Sequence, residues 1–334
     1  MTRRIPDIDV VRGLALAGLP LVNLALTFGD GFPAPDPVSS FIYDNLVYQR
    51  FLTIFCFLFG VSFALILESA SRRAPRPRLL LVRRLAALFA IGVFQALALD
   101  GNLQLAVYAV LGLAALLPLS YLPRRYVLLA GLALVAASMP ITELDPQSHG
   151  SPVKVLLEWS GLLALGYSTV RYGLHTGLER HGRRLAVCLT AATALAILSI
   201  AVQPDTGTIP GAVLAEAGLL ATSAAYVLGT LLLLRTRAAT ALTAFLAPIG
   251  RMALTCFLTQ AAAAVAFAAL VDVHDWNYAA LTFGGTAILI TAQSLACTLW
   301  LRRFRYGPVE WTWRCATELK PVPMLRKHPA HAAG

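Results

Sequence analysis

Charged residues are scarce in this sequence, and their scarcity excludes a soluble globule. Only 13% of the 334 residues are Asp, Glu, Lys or Arg, whereas 58% are hydrophobic. A soluble domain carries about twice that charged share, because its surface must remain hydrated. No stretch is polar enough to form a water-soluble module with its own core. The composition therefore predicts an all-α, polytopic membrane domain over 1–318, followed by a Pro- and Ala-rich, disordered cytoplasmic tail over 319–334.

The sequence also lacks the signatures of soluble catalysis. It contains no G-x-S-x-G elbow, no Walker loop, no H-E-x-x-H pair and no dinucleotide fingerprint. ATP-driven transport by this chain alone and a tightly bound cofactor are therefore not expected. The five cysteines have no metal-ligand spacing, which indicates reduced packing residues and neither a metal site nor a disulfide framework. The six histidines fall in predicted loops or in the tail, where a solvated role is the usual one.

The sequence has an excess of positive charge, and the basic residues lie in alternate predicted loops. The net charge is +10, yet no basic helix interleaved with aromatic residues occurs, so nucleic acid is not an expected partner. Arginines cluster in alternate loops and acidic residues occupy the others. Because basic loops stay in the cytoplasm, both termini are predicted to be cytoplasmic, in a bacterial plasma membrane. About ten apolar runs, each near the ~20 residues that a bilayer requires, are predicted as spans: 10–28, 45–67, 82–99, 103–121, 126–142, 152–170, 185–202, 210–234, 251–271 and 278–301.

The first apolar run carries polar residues on one face. At helical spacing Arg12 and Asn23 share a stripe, and Asp9 lies one turn before Arg12. Polar groups are costly in hydrocarbon, so this face should point into the protein. Gly13 is small enough for close helix contact. Pro20 removes a backbone donor and predicts a kink within the membrane.

Other polar residues occur at matching depths near the predicted outer face. Glu158 and Glu216 each lie about six residues, or roughly 9 Å, below that face, and Arg50 lies at a similar depth. Asp100 and Asn102 close the third span at the same side. These groups predict either an outward-facing polar cavity for an acceptor or a transported solute, or a salt bridge that fixes helix register. A carboxylate in such a cavity, from Glu158, Glu216 or Asp100, could act as a general base.

Arginines also gather at the predicted cytoplasmic ends of the spans. Arginine forks suit phosphate groups, so a phosphorylated donor such as a coenzyme A thioester could dock there. The alternative is that these residues determine topology and contact anionic lipids. Arg251, which precedes Thr255 and Thr259 on one helical stripe, is the strongest candidate for a donor site. The cytoplasmic arginines are Arg12, Arg83, Arg84, Arg251 and Arg303.

Four stretches resemble the YeiB-like family of bacterial membrane proteins, a group known as a domain of unknown function. They are IDVVRGLALAGLPLVN (8–23), RFLTIFCFLFGVSFAL (50–65), IGRMALTCFLTQ (249–260) and RRFRYGPVEWTWR (302–314). Their order and spacing cover nearly the whole chain. The last stretch is distinctive, because an R-F-x-x-G-P-x-E-W run directly after a final span is unexpected by chance.

That family is distantly similar to transmembrane acyltransferases, which share a D-x-x-R-G…N first helix. The resemblance implies that Asn23 steadies the acyl or acceptor group, and that Arg12, paired with Asp9, and Arg251 hold an acyl-CoA donor. Gln95 stands where many relatives have a histidine, and glutamine cannot act as a base at neutral pH.

The resulting hypothesis is a membrane-embedded acyltransferase. It would pass an acyl group from a cytosolic donor to a small or lipid-linked acceptor at the outer face, with Glu158 or Glu216 as the base. Two alternatives stay open: a transporter or exporter of a small solute, in which Arg50 and the carboxylates form the solute or proton site, and a non-catalytic membrane partner of a neighbouring enzyme.

Overall fold

The computed structural model of the protein is helical throughout the part of the chain that it describes. That part comprises residues 6–28, 32–72, 76–100, 102–141, 151–174, 182–204, 207–273 and 276–326. All six histidines of the sequence lie outside these ranges. Within them, extended pairing is limited to an isolated antiparallel bridge between Phe304 and Leu325.

The helices are numbered in chain order. They are α1 Pro6–Gly18, α2 Pro20–Phe28, α3 Pro37–Ile42, α4 Arg50–Ser71, α5 Pro77–Gln95, α6 Gln104–Leu111, α7 Arg124–Ser138, α8 Pro152–Arg171, α9 Gly182–Val202, α10 Ile209–Leu233, α11 Ala239–Arg251, α12 Ala253–Leu270, α13 Gly285–Arg303 and α14 Pro308–Glu318. Wider π-helical turns extend several of them, at Tyr43–Val47, Ala96–Asp100, Gly112–Leu116 and Ala280–Gly284.

Long apolar helices identify the chain as a membrane protein. Among the described residues, six helical segments are long and apolar enough to cross a membrane. The other four predicted spans also coincide with helices as far as the structure describes them, but none of these helices is both long and apolar enough to be counted. The span 10–28 is divided at Leu19, 103–121 and 126–142 lie on short helices, and 152–170 carries Lys154 and Glu158. The six are Pro37–Ser71, Pro77–Leu99, Gly182–Val202, Ile209–Leu233, Ala253–Leu270 and Ala280–Arg303.

The predicted kink at Pro20 is confirmed. Helix α1 ends at Gly18 and α2 begins at Pro20. A proline leaves the carbonyl four residues earlier without its helical donor, and that carbonyl belongs to Leu16. The Gln260 side chain from α12 replaces the donor, because its Nε2 lies 3.2 Å from the Leu16 oxygen in a buried position. The break is therefore compensated within the protein.

Glycines allow the helices to approach closely at two crossings. Where α4 crosses α8, a Cβ on Gly60 would overlap the Leu163 carbonyl oxygen, and a Cβ on Gly166 would overlap that of Phe57. Where α1 crosses α11, Gly13 meets the Leu246 carbonyl in the same way, as the small-residue pattern predicts. Backbones that approach this closely gain dispersion contact along the whole crossing.

The apolar core has two main parts. One lies between α4, α7 and α8, where Phe63 and Tyr167 pack edge to face with ring centroids 5.9 Å apart. The other joins α1, α11, α12 and α13 around Leu16, Ile249 and Phe257. Helix α9 packs mainly on α10. Its outer side is largely exposed in the isolated chain, as expected for a lipid-facing helix.

Candidate functional site

A polar cavity opens where four helices end on one side of the bundle. Its volume is about 540 Å³, which is within the range of small-molecule sites. The start of α4, the starts of α8 and α10 and the end of α9 form its wall, together with the turn that precedes α4. Its charged lining residues are Asp44, Arg50, Lys154, Glu158 and Glu216. We refer to it as the acid–base cavity.

Arg50 is fixed at the mouth of this cavity by the turn that leads into α4. Gln49 adopts φ 61°, a left-handed conformation that costs a non-glycine residue free energy. The chain thereby reverses so that Arg50 Nη1 donates to the Asp44 and Tyr48 carbonyls, at 2.6 and 2.7 Å. From α10, the Ser223 hydroxyl donates to the Arg50 carbonyl at 3.2 Å.

The guanidinium of Arg50 keeps free donors. Its side chain is buried, yet Nε has no acceptor and no carboxylate lies within 4.0 Å in the described part of the chain. Only Nη1 takes part in its hydrogen bonds to these residues. Three N–H groups of Arg50, one on Nε and two on Nη2, therefore have no acceptor among the described residues and can serve an acceptor atom in the cavity.

Glu216 is held by a lysine that the sequence prediction missed. Lys154 Nζ lies 2.9 Å from Glu216 Oε2, and the Glu216 side chain is only 5% exposed. The other oxygen, Oε1, is buried without a hydrogen-bond donor among the described residues. Lys154 precedes Glu158 by four residues, which places both on one face of α8. This four-residue spacing is the sequence feature from which a lysine beside Glu158 could have been predicted.

Glu158 completes the cavity. It is buried at 5% exposure and lines the space beside Lys154 and Glu216. Across the described ranges, its carboxylate receives no hydrogen bond from the protein, although it lies within electrostatic reach of both neighbours. A buried carboxylate without a donor is costly. It therefore provides an acceptor for a hydroxyl or amine proton of a bound molecule.

The structure brings together some of the predicted outer residues and not others. Arg50 and the two glutamates meet in the acid–base cavity, whereas Gln95 is buried at the end of α5 and lines no part of it.

Asn102 Oδ1 accepts from the Gln104 amide at 2.9 Å and so caps α6. Asp100 ends a helical turn, and its side chain lies outside the described part. Asn23 lies half-buried on α2 and does not line the cavity.

The predicted donor residues lie at the other side of the bundle, where Arg12 has protein partners. Its Nη1 contacts Asp9 Oδ1 at 3.3 Å and the Gly250 carbonyl at 3.4 Å, while Nη2 donates to the Ser62 hydroxyl at 2.8 Å. Arg12 therefore joins α1, α4 and α11. Arg251 ends α11 beside it. A donor-binding role for these residues stays a prediction.

Arg303 takes part in a different arrangement. It ends α13 with an exposed side chain. Its carbonyl accepts from the Arg326 amide at 3.1 Å, so the beginning of the predicted tail runs beside it. The predicted contact of this arginine with a donor is likewise untested.

Glu310 links the last distinctive stretch to the stretch before it. Its Oε1 accepts from the Leu254 and Thr255 amides, at 2.6 and 3.0 Å, and its Oε2 accepts from the Thr255 hydroxyl at 2.5 Å. These amides open α12 and would otherwise lack acceptors. A carboxylate also suits the positive end of a helix dipole. Together, Arg12 and Glu310 connect all four stretches of the YeiB-like pattern.

Comparisons with known proteins give a family of similar sequences without an assigned activity. Residues 169–320 match the family described as "Protein of unknown function (DUF418)". The chain is 26% identical over 362 aligned positions to an "Uncharacterized 39.9 kDa protein in amylase 3'region" of Bacillus acidopullulyticus, covering 99% of this chain and 98% of that protein. It is 25% identical over 394 positions to the "Uncharacterized protein YxaH" of Bacillus subtilis (strain 168), covering 97% and 96%. No solved structure matches the chain.

Proposed function

We propose that the chain is a membrane-embedded acyltransferase-like protein of the YeiB-like group. It moves an acyl group from a cytosolic acyl-CoA to a small or lipid-linked acceptor in the acid–base cavity. The observation that carries this proposal is the buried Glu158 carboxylate, which faces the cavity without a donor from the described residues. The two Bacillus relatives, which align over nearly their full lengths, support a bacterial protein, and the six long apolar helices support its place in a membrane.

The roles of the cavity residues follow from their contacts. Arg50 holds an electronegative or anionic group of the acceptor through its free N–H donors. Lys154 keeps Glu216 in place as a hydrogen-bond acceptor. Glu158 takes the proton from the acceptor hydroxyl or amine as that atom bonds to the acyl carbon. The thioester C–S bond breaks in the same transfer, and the departing thiolate takes up a proton to become coenzyme A.

The test is thiol release from acetyl-CoA by protein in nanodiscs of bacterial polar lipid. We expect Glu158→Gln, which removes the base and keeps the size, to lower the rate by about 100-fold or more. Glu318→Gln is the matched control, because Glu318 pairs with Arg314 on α14 outside the cavity. A wild-type rate equal to that of empty nanodiscs would rule out transfer to a lipid acceptor of these membranes, and an unaffected Glu158→Gln variant would rule out Glu158 as the base.

A transporter is the second candidate, because the cavity holds an ion pair beside another carboxylate. The Lys154–Glu216 pair and Glu158 can exchange a proton when a solute displaces one partner. In proteoliposomes, proton uptake that depends on a solute and is lost in Glu216→Gln would favour this candidate if no thiol is released. Absence of both activities would favour a non-catalytic partner of a neighbouring enzyme.

For the topology we propose ten crossings with both termini in the cytoplasm. The helix ends assigned to the outer face from the sequence gather around the acid–base cavity, which supports the alternation. In a cysteine-free background, Val153→Cys should react with a membrane-impermeant maleimide in intact cells. Leu122→Cys, also exposed, should react only after permeabilisation. The reverse pattern would invert the orientation, and equal labelling of both would refute the alternation.

A further inference from the structure

A second cavity lies at the opposite end of α4 and α8. Its volume is about 670 Å³. The end of α4, the starts of α5 and α7 and the end of α8 form its wall. Along α8, the distance from Glu158 to Arg171 corresponds to about 20 Å, so the two cavities are separate. We call it the arginine cavity, after its lining residues Arg78, Arg124 and Arg171.

Tyrosine rings orient the three guanidinium groups. A guanidinium that stacks on a ring uses its face, while its N–H groups point outward in the plane and remain available. The arginines come from three different helices, so their convergence depends on the fold. The pairs are Arg78 over Tyr121, Arg124 over Tyr172 and Arg171 over Tyr167, with distances to the ring centroid of 3.7, 4.9 and 5.9 Å. Arg171 Nη1 also donates to the Tyr167 hydroxyl at 3.5 Å, which leaves its other N–H groups available.

The positive charge of this cavity is not neutralised by the described residues. Within these ranges none of the three arginines forms an ion pair. The one described carboxylate in the lining, Glu68, is paired with Arg72 instead. Arg78 donates only at long distance to Ser120, with 3.3 Å to the hydroxyl and 3.4 Å to the carbonyl. Three like charges around one space repel each other unless an anion joins them.

We propose that the arginine cavity binds a phosphate monoester or diphosphate group. Arginine forks match phosphate oxygens in geometry and charge, and several forks around one anion favour a doubly charged group over a carboxylate. The group can belong to a soluble organic phosphate or to a lipid headgroup, since both have the same chemistry. The inference does not depend on acyl transfer, because it involves neither Glu158 nor Glu216.

The soluble source is tested by titrating inorganic pyrophosphate into protein in phosphatidylcholine nanodiscs while the unfolding temperature is recorded. We expect a saturable rise for the wild type and a midpoint at least ~10-fold higher for Arg124→Gln and Arg171→Gln, since each loses a charge-assisted contact. Arg125→Gln is the control, because Arg125 stacks on Tyr126 and does not line the cavity. Arg171→Lys should fall between wild type and Arg171→Gln.

The lipid source is tested by native mass spectrometry after incorporation into nanodiscs with and without phosphatidic acid. A retained phosphatidic acid that is lost in Arg124→Gln, but kept in Arg125→Gln, would assign the site to a headgroup. Folding of each variant is checked by its unfolding temperature without ligand. The proposal is overturned if wild type shows neither a saturable shift nor a retained lipid. It is also overturned if the arginine cavity variants and Arg125→Gln behave alike.

Discussion

Lys154→Met should destabilise the protein by about 3 kcal/mol, because it leaves the buried Glu216 carboxylate without its cation. The Lys154 ammonium lies 2.9 Å from Glu216 Oε2, and the two side chains are 16% and 5% exposed. The other Glu216 oxygen has no donor among the described residues, so no second contact compensates. Partial access of water to Lys154 places the effect at the lower end of the range for broken buried pairs. Reversible unfolding in mixed micelles is the measurement.

A double variant separates the ion pair from simple loss of packing. Lys154→Met combined with Glu216→Leu removes both charges, and we expect it to recover most of the lost stability, because the desolvation cost disappears with the charges. Lys320→Met, which changes an exposed lysine outside the cavity, should leave the free energy of unfolding nearly unchanged. A double variant as unstable as Lys154→Met would show that the lysine acts through its contacts rather than through its charge.

Gly166→Leu should prevent α8 from packing on α4. A Cβ at this position already overlaps the Phe57 carbonyl oxygen, and that backbone atom cannot move without shifting the whole helix. For Gly166→Ala we expect a loss of about 1–3 kcal/mol, and for leucine we expect no folded protein after extraction. Because these two helices form walls of both cavities, ligand binding at either one should fail with the fold. Size-exclusion profiles and unfolding temperatures report the outcome.

Gly229 provides the matched glycine for this experiment. It also lies within a long membrane helix, α10, but a Cβ there meets nothing within 4 Å. Gly229→Leu should therefore extract and unfold much as the wild type does. If Gly166→Leu and Gly229→Leu behaved alike, helix propensity rather than the close crossing would explain the effect.

Depth along a helix explains what the sequence could predict. A fixed rise of 1.5 Å per residue places Glu158 and Glu216 at one level, and alternating loop charge assigns them to one face. In the described structure α8 and α10 place these two glutamates in the same cavity as Arg50. The kink at Pro20 was predictable for a similar reason, since a missing N–H has a local consequence.

Partners far along the chain could not be predicted in this way. The helical pattern shows which face of α1 carries Arg12, but only the packing of α4 brings Ser62 to that face. The positive charge of a loop residue such as Arg124 is already explained by the rule that basic loops stay in the cytoplasm. The sequence therefore gives no reason to expect that Arg124 lines one cavity with Arg78 and Arg171. The sequence places Lys154 on the same face of α8 as Glu158, but its partner Glu216 lies 62 residues away on α10, and only the packing of the two helices brings them together.

The contact between Arg12 and Gly250 also has a consequence for biosynthesis. The two residues are 238 positions apart, so α1 remains in the bilayer without this partner until α11 has been translated. The amides of α12 wait as well, because the carboxylate that satisfies them follows 55 or 56 residues later. Contacts of such long range form slowly. These contacts are therefore completed only when α14 has been translated, and a chain terminated before α14 would expose unpaired amides of α12 to quality-control proteases.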